Sequence, residues 1–124
     1  MALRNKRRAA ERRGRTAEWI AILFLIAKGY RILGHRLRTP HGEVDLAAFK
    51  NGALIIVEVK ARKSKDAGIE AVVPMQRERI LRAAQTLAGR WRLNKAPIRC
   101  DVIVVGAGLL PFHLQNAWGL DVPH

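Results

Sequence analysis

GEVDLAAFKNGALIIVEVKAR, residues 42–62, is the stretch whose reading decides the fold. Asn51-Gly52 is the strongest short-range hairpin signal, because a two-residue turn of this kind needs positive φ at both positions. It joins two expected strands, Glu43–Lys50 and Ala53–Arg62. The second is apolar through Val59, yet Glu58 and Lys60 alternate with its valines. Ionised groups are rarely buried without a partner or a metal, since desolvation costs several kcal/mol or more. With Lys50 opposite Ala53, the ladder places Asp45 across from Glu58 and Glu43 across from Lys60, unless a bulge intervenes. Glu43, Asp45, Glu58 and Lys60 then form one patch.

Two opposed carboxylates destabilise a sheet unless a cation lies between them. Oxygen ligands favour hard cations such as Mg²⁺ (or Mn²⁺), which take one or two carboxylates and leave room for substrate. A neighbouring lysine can orient a water and steady charge on a phosphate. Asp45, Glu58 and Lys60 therefore suit phosphodiester cleavage. The alternative is a solvated salt-bridge network, Glu43 with Lys60, worth about 0–1 kcal/mol. Spacing alone leaves both readings open.

The rest of the chain sets the context. Its 124 residues suit one domain with a modest core, and the 49% hydrophobic content argues against wholesale disorder. Lys and Arg number 23 against 10 Asp and Glu, a formal charge of +13 that attracts polyanions, nucleic acid first and anionic membrane second. The single cysteine, Cys100, excludes an intramolecular disulfide and reads as a core residue in IRCDVIVV. The basic opening followed by Trp19–Ala27 is too long in its charged part for a signal peptide. Its apolar part is far short of the roughly 20 residues that span a bilayer, so a soluble, cytoplasmic protein is expected.

Residues 1–13 read as a flexible basic arm and residues 14–124 as the domain. A helix is expected from about Thr16 to Ala27, a strand over Tyr30–Leu37, and a polar loop over Lys63–Glu70. Pro74 suits the first turn of a helix reaching about Trp91, with Ile80, Ala84, Leu87 and Trp91 on one face. Ile98–Val105 reads as a buried strand and Leu109–Gln115 as an edge strand. The order αβββαββ describes an α/β fold, a mixed sheet flanked by helices.

Asp45, the thirteen-residue step to Glu58, and VEVK resemble the D…(D/E)-x-K signature of restriction-endonuclease-like nucleases. GRTAE at 14–18, GEVDLAA, IVEVKAR and CDVIVV…FHLQNAW together resemble the YraN family of small bacterial proteins, over about Gly14 to Trp118. That resemblance implies a single restriction-endonuclease-like domain similar to archaeal Holliday-junction resolvases. It implies that Asp45 and Glu58 are metal-binding acids, that Lys60 is the signature lysine, and that Glu18 on the first helix completes the catalytic set. Read from the residues alone, Glu18 is a solvated helix residue. The family often has a lysine–glutamine pair early in the second helix, where this chain has Gln76-Arg77.

Among the remaining residues, His35, His41, His113 and His124 have no zinc-ligand spacing. Asp101 is expected to pair with an arginine such as Arg99. Trp91 is expected in the core, and Trp118 is a candidate for base stacking. GAG at 106–108 is too little for a nucleotide loop. The reading is a Mg²⁺-dependent endonuclease-like protein acting on DNA, branched or otherwise structured. Arg7, Arg8, Arg12, Arg13, Arg62, Lys63, Arg77, Arg79 and Arg82 hold the phosphate backbone in this reading, and a homodimer is a candidate assembly. Its rivals are a non-catalytic nucleic-acid-binding module and a membrane-surface protein using Arg4–Ala27, without stable insertion.

Overall fold

The computed structural model describes residues 2–72 and 77–117. Its elements are α1 (Ala2–Ala27), β1 (Arg31–Thr39), β2 (Gly42–Lys50), β3 (Ala53–Ala61), α2 (Lys65–Val72), α3 (Arg77–Arg90), β4 (Ile98–Val105) and β5 (Phe112–Leu114). One mixed sheet holds the strands in the order β1-β2-β3-β4-β5. The pairs are antiparallel except for β3 with β4, whose parallel crossover carries α2 and α3.

Alternation along β3 explains the layering. Ile55, Val57 and Val59 pack with Ala17, Ala21 and Leu25 of α1. Leu54 and Ile56 pack on the opposite face with Ile80, Ala84 and Leu87 of α3. A strand covered on both faces needs an almost continuous apolar run, which Ala53–Val59 supplies apart from Glu58. Asn51 and Gly52 have φ of 51° and 79°, and the ladder runs from Lys50↔Ala53 to Leu46↔Val57 in the expected register.

Beyond Leu46 the hairpin departs from expectation. Val44 joins the α3-side core while Leu46, two residues on, joins the α1-side core, so β2 changes face at Asp45. Arg36 on β1 has φ of 51°, which is where the neighbouring strand absorbs the same distortion. Glu43 is therefore not opposite Lys60 in the ladder; it pairs with Arg38 of β1.

Two boundaries also differ. Lys63–Glu70 is not a loop throughout, because α2 begins at Lys65, where the Ser64 hydroxyl accepts a hydrogen bond from the Ala67 N–H at 3.1 Å. The observed order is accordingly αβββααββ. Helix α1 starts at Ala2 rather than near Thr16, since the alanines and arginines of the arm are strong helix formers and continue the turn as an exposed extension. Pro74, Gln76, Trp118 and His124 lie outside the described residues.

Gly68 fixes how closely α2 approaches the sheet. A Cβ there would collide with the branched side chain of Val104, which has little rotamer freedom to yield. Gly68→Ala should destabilise the protein by about 1–3 kcal/mol despite the better helix propensity of alanine. Urea unfolding of the two proteins measures it, and an equal or higher midpoint for the variant would refute this packing.

Candidate active site

The kink at Asp45 brings two carboxyl groups together. Because the ladder ends at Leu46↔Val57, the next β3 amide has no β2 carbonyl opposite it. The Asp45 Oδ2 instead accepts a hydrogen bond from the Val59 N–H at 2.9 Å. Glu58, on the α3 side of β3, is 3% exposed and shares a hydrogen bond with the Asp45 carboxyl. Its other oxygen, Oε1, is buried without a hydrogen-bond partner among the described residues. A buried acceptor left unsatisfied is costly and uncommon.

Burial first, and the Asp45 charge second, push the Glu58 carboxyl up to about 9 from an ordinary value near 4.5, against the opposing influence of Lys60 and Arg79. At neutral pH Glu58 therefore keeps its proton. A hard divalent cation satisfies the same two needs, offering a positive partner to both carboxylates and a ligand position to the orphaned Oε1. The donor set fits such an ion.

Cations ring the pair. Arg79 rises from the first turn of α3 and donates from Nη1 to the His41 carbonyl at 3.1 Å. It passes over Gly42, whose φ is +115° and where a Cβ would meet the guanidinium. Arg36 donates from Nε to Glu18 Oε1 at 2.9 Å and also lies in the fields of Glu43 and Asp45.

The residues expected at the site thus divide. Asp45 and Glu58 come together, with Lys60 close enough to act on Glu58. Glu18, on the α1 side, is engaged by Arg36 rather than by the two carboxyls. Among the described residues no group of three or more His, Cys, Asp or Glu side chains is placed to hold a metal, so this centre has two acids. Arg62 and Lys63 follow β3 and are exposed, as are Arg7, Arg8, Arg12 and Arg13 on α1. Arg82 is also exposed and pairs with Glu78 at 2.6 Å, while Arg77 opens α3.

Two features escaped the sequence reading: the face switch at Asp45 and the bridging role of Arg36. Gly34 within a strand signals a separate irregularity, the β1–β2 register shift between Ile32 and Gly34 opposite Ala48 and Ala47, whereas no residue type announces the switch at Asp45.

A second buried acid, Asp101, behaves differently. Burial alone would raise it, but His113 (2.7 Å), both Arg99 nitrogens (2.9 Å each) and the Asn116 N–H (2.9 Å) overcome that and hold it below its ordinary value. The expected Arg99 pairing is present. Cys100 and Trp91 pack in or against the core as expected.

A small single-sheet α/β protein with an acidic pair buried at a hairpin kink and ringed by cations is the class these features define. The family model described as Uncharacterised protein family UPF0102 matches residues 17–105, a span that encloses Glu18, Asp45, Glu58 and Lys60. A UPF0102 protein of Caulobacter sp. (strain K31) is 52% identical over 111 residues, covering 89% of this chain and 80% of that protein. One from Bradyrhizobium sp. (strain ORS 278) is 49% identical over 114 residues, 91% of this chain and 81% of that protein. One from Maricaulis maris (strain MCS10) is 46% identical over 113 residues, 90% and 89%. The chain belongs to the UPF0102 (YraN) family.

The raised Glu58 carboxyl carries a sign. Between about 4.5 and about 9 the folded state keeps a proton that the unfolded chain releases, so stability falls as pH rises through that window. Glu58→Gln, neutral throughout, should remove that fall. Urea midpoints at pH 5, 7 and 9, in the absence of divalent cations, should decline more steeply for the parent than for the variant. Parallel curves would refute the protonated pair.

Proposed function

We propose that the protein is a Mg²⁺- or Mn²⁺-dependent endonuclease-like hydrolase acting on phosphodiester bonds of DNA, with branched or structured DNA as the substrate class. The observation that carries this reading is the unsatisfied Glu58 Oε1 beside Asp45. A structural acid pair would be expected to have its acceptors filled, as Asp101 has. The D…E-x-K spacing, similar to that of restriction-endonuclease-like nucleases, supports it further.

In this reading Asp45 and Glu58 hold the cation, which supplies charge stabilisation and lowers the pKa of water when bound. Lys60 orients the attacking water and offsets charge gathering on the phosphate. Arg79 lies close enough to Glu58 to favour its ionised form, and so keeps the site electropositive toward an incoming phosphate. The exposed arginines of α1 and α3, with Arg62 and Lys63, hold the backbone without reading sequence.

A second reading is favoured by a specific observation. Trp19, Leu23 and Ile26 are exposed along one side of α1, in helical succession with the exposed Arg8, Arg12 and Arg15. Among the described residues no helix is long and apolar enough to cross a membrane. This stripe suits adsorption to an anionic surface, and flotation with anionic vesicles that survives added DNA would favour it.

Glu58→Gln separates a nuclease from a binder. Cation binding by the parent should tighten as pH rises and release about one proton, seen by calorimetry in buffers of different ionisation enthalpy. The variant should lose that binding, keep DNA affinity, and cleave more than about 100-fold more slowly, exceeding the loss from an outer-shell partner. Parental cleavage by the variant would remove Glu58 from the chemistry. No cation binding by a parent that binds DNA tightly would leave a non-catalytic module.

A further inference from the structure

A groove of about 870 Å³ runs between α1 and the C-terminal ends of β3 and β4. One wall carries Arg12 and Arg13, the other Arg62 and Lys63, and Ala61 and Val105 lie in its floor. All four cationic residues are exposed, and the two that leave β3 begin two residues beyond Lys60. The Arg62 N–H donates to the Val105 carbonyl at 3.0 Å, and Gly106 has φ of +105° with no room for a Cβ against the Arg62 carbonyl. The strand-end wall is therefore fixed in place by backbone contacts.

We infer that this groove is a track for a single strand of nucleic acid, held by its phosphates between the two basic walls. The inference rests on the nucleic-acid reading above, though not on cleavage. Cations on facing walls complement a narrow chain of repeating charges that can lie between them. A bilayer is flat and meets only the rims, and a duplex, thicker than an extended single strand, follows facing walls less closely. Among the described residues the lining contains no aromatic side chain, so those residues offer phosphate contacts rather than base stacking, and binding by them is insensitive to sequence. The groove lies on the α1 side of the sheet, whereas Glu58 and Lys60 share the α3-side face of β3, so the two meet only around the C-terminal end of that strand.

Anisotropy titrations of labelled oligo-dT and of a duplex of equal length, with the full chain in EDTA, test the assignment. Arg12→Gln with Arg13→Gln, and Arg62→Gln with Lys63→Gln, should each weaken oligo-dT binding by about tenfold at physiological salt. Each pair should also lower the log K against log salt slope by about 0.7 per lost phosphate contact. Arg92→Gln with Lys95→Gln removes the same charge before the opposite end of β4 and should weaken it by no more than about twofold. Equal losses in the groove and control pairs would overturn the track, as would equal losses on duplex and oligo-dT. A loss confined to anionic vesicles would also overturn it. Should the strand-end pair fail to fold, the exposed helix pair decides alone. A parent that binds no DNA removes the nucleic-acid reading itself, whereas a parent that binds but never cleaves leaves the groove test intact.

Discussion

One constraint organises the molecule: a carboxyl buried in a strand that is covered on both faces, beside a second carboxyl. Like charges this close, out of water, cannot both ionise without a partner. The surrounding structure supplies partial relief from several directions. The Val59 N–H binds Asp45, Arg79 reaches over Gly42 from α3, and Lys60 follows on the same strand. None of these fills Glu58 Oε1. The kink that brings Asp45 to Glu58 also interrupts the β2–β3 ladder and moves Val44 and Leu46 into different cores. A purely structural fold would gain by closing that ladder and replacing Glu58 with an apolar residue, since well-packed hydrophobic replacements of buried charge are often neutral or stabilising.

The contrast with Asp101 sharpens the point. Both acids are buried in adjacent central strands, and both suffer desolvation. Asp101 meets it with an arginine fork, a histidine and a backbone N–H, and is held below its ordinary value. Arg99 in turn donates to the Tyr30 hydroxyl at 2.8 Å, and Lys28 Nζ contacts His113 Nδ1 at 2.6 Å, so the network ties β4 and β5 to the end of α1. That is a finished hydrogen-bond network, whose members satisfy one another. Glu58 is unfinished by the same measure. The difference between two acids in one core separates a completed structural network from a carboxyl with an open acceptor.

Much of this was legible in the residues because it depends on local chemistry. Asn51-Gly52 fixed the turn, and the turn fixed the register as far as Leu46↔Val57, while the meeting of Asp45 with Glu58 beyond that rung depends on the kink and not on a ladder pairing. Asp101 with Arg99 was legible as a charge in an apolar strand. What the sequence hid depends on tertiary contact. Glu43 lost its place opposite Lys60 because the strand changes face at Asp45, a switch that only packing against two helices enforces. Helix α2 was hidden because Lys65, Asp66 and Gly68 read as loop, while its glycine is there to approach Val104. Glu18 belongs to α1, and its engagement by Arg36 depends on an arginine held at positive φ, a conformation that no residue type at that position announces.

The electrostatics of the centre also explain why an acidic site can serve so basic a chain. With a proton between Asp45 and Glu58, the carboxyl pair carries less negative charge than two ionised acids. Lys60, Arg79 and Arg36 around it then present a positive field to solvent. A phosphate is attracted to that field, and in the proposed function a divalent cation must displace the Glu58 proton to bind. In that reading a bound phosphate would favour exchanging the proton for a cation, and a cation held there would strengthen the phosphate contact in return. Such coupling is reciprocal by thermodynamic necessity. In the proposed function the ring of cations therefore does more than gather substrate. It makes cation and phosphate each bind more tightly in the presence of the other, so that the charge needed for hydrolysis accumulates most where a backbone already lies.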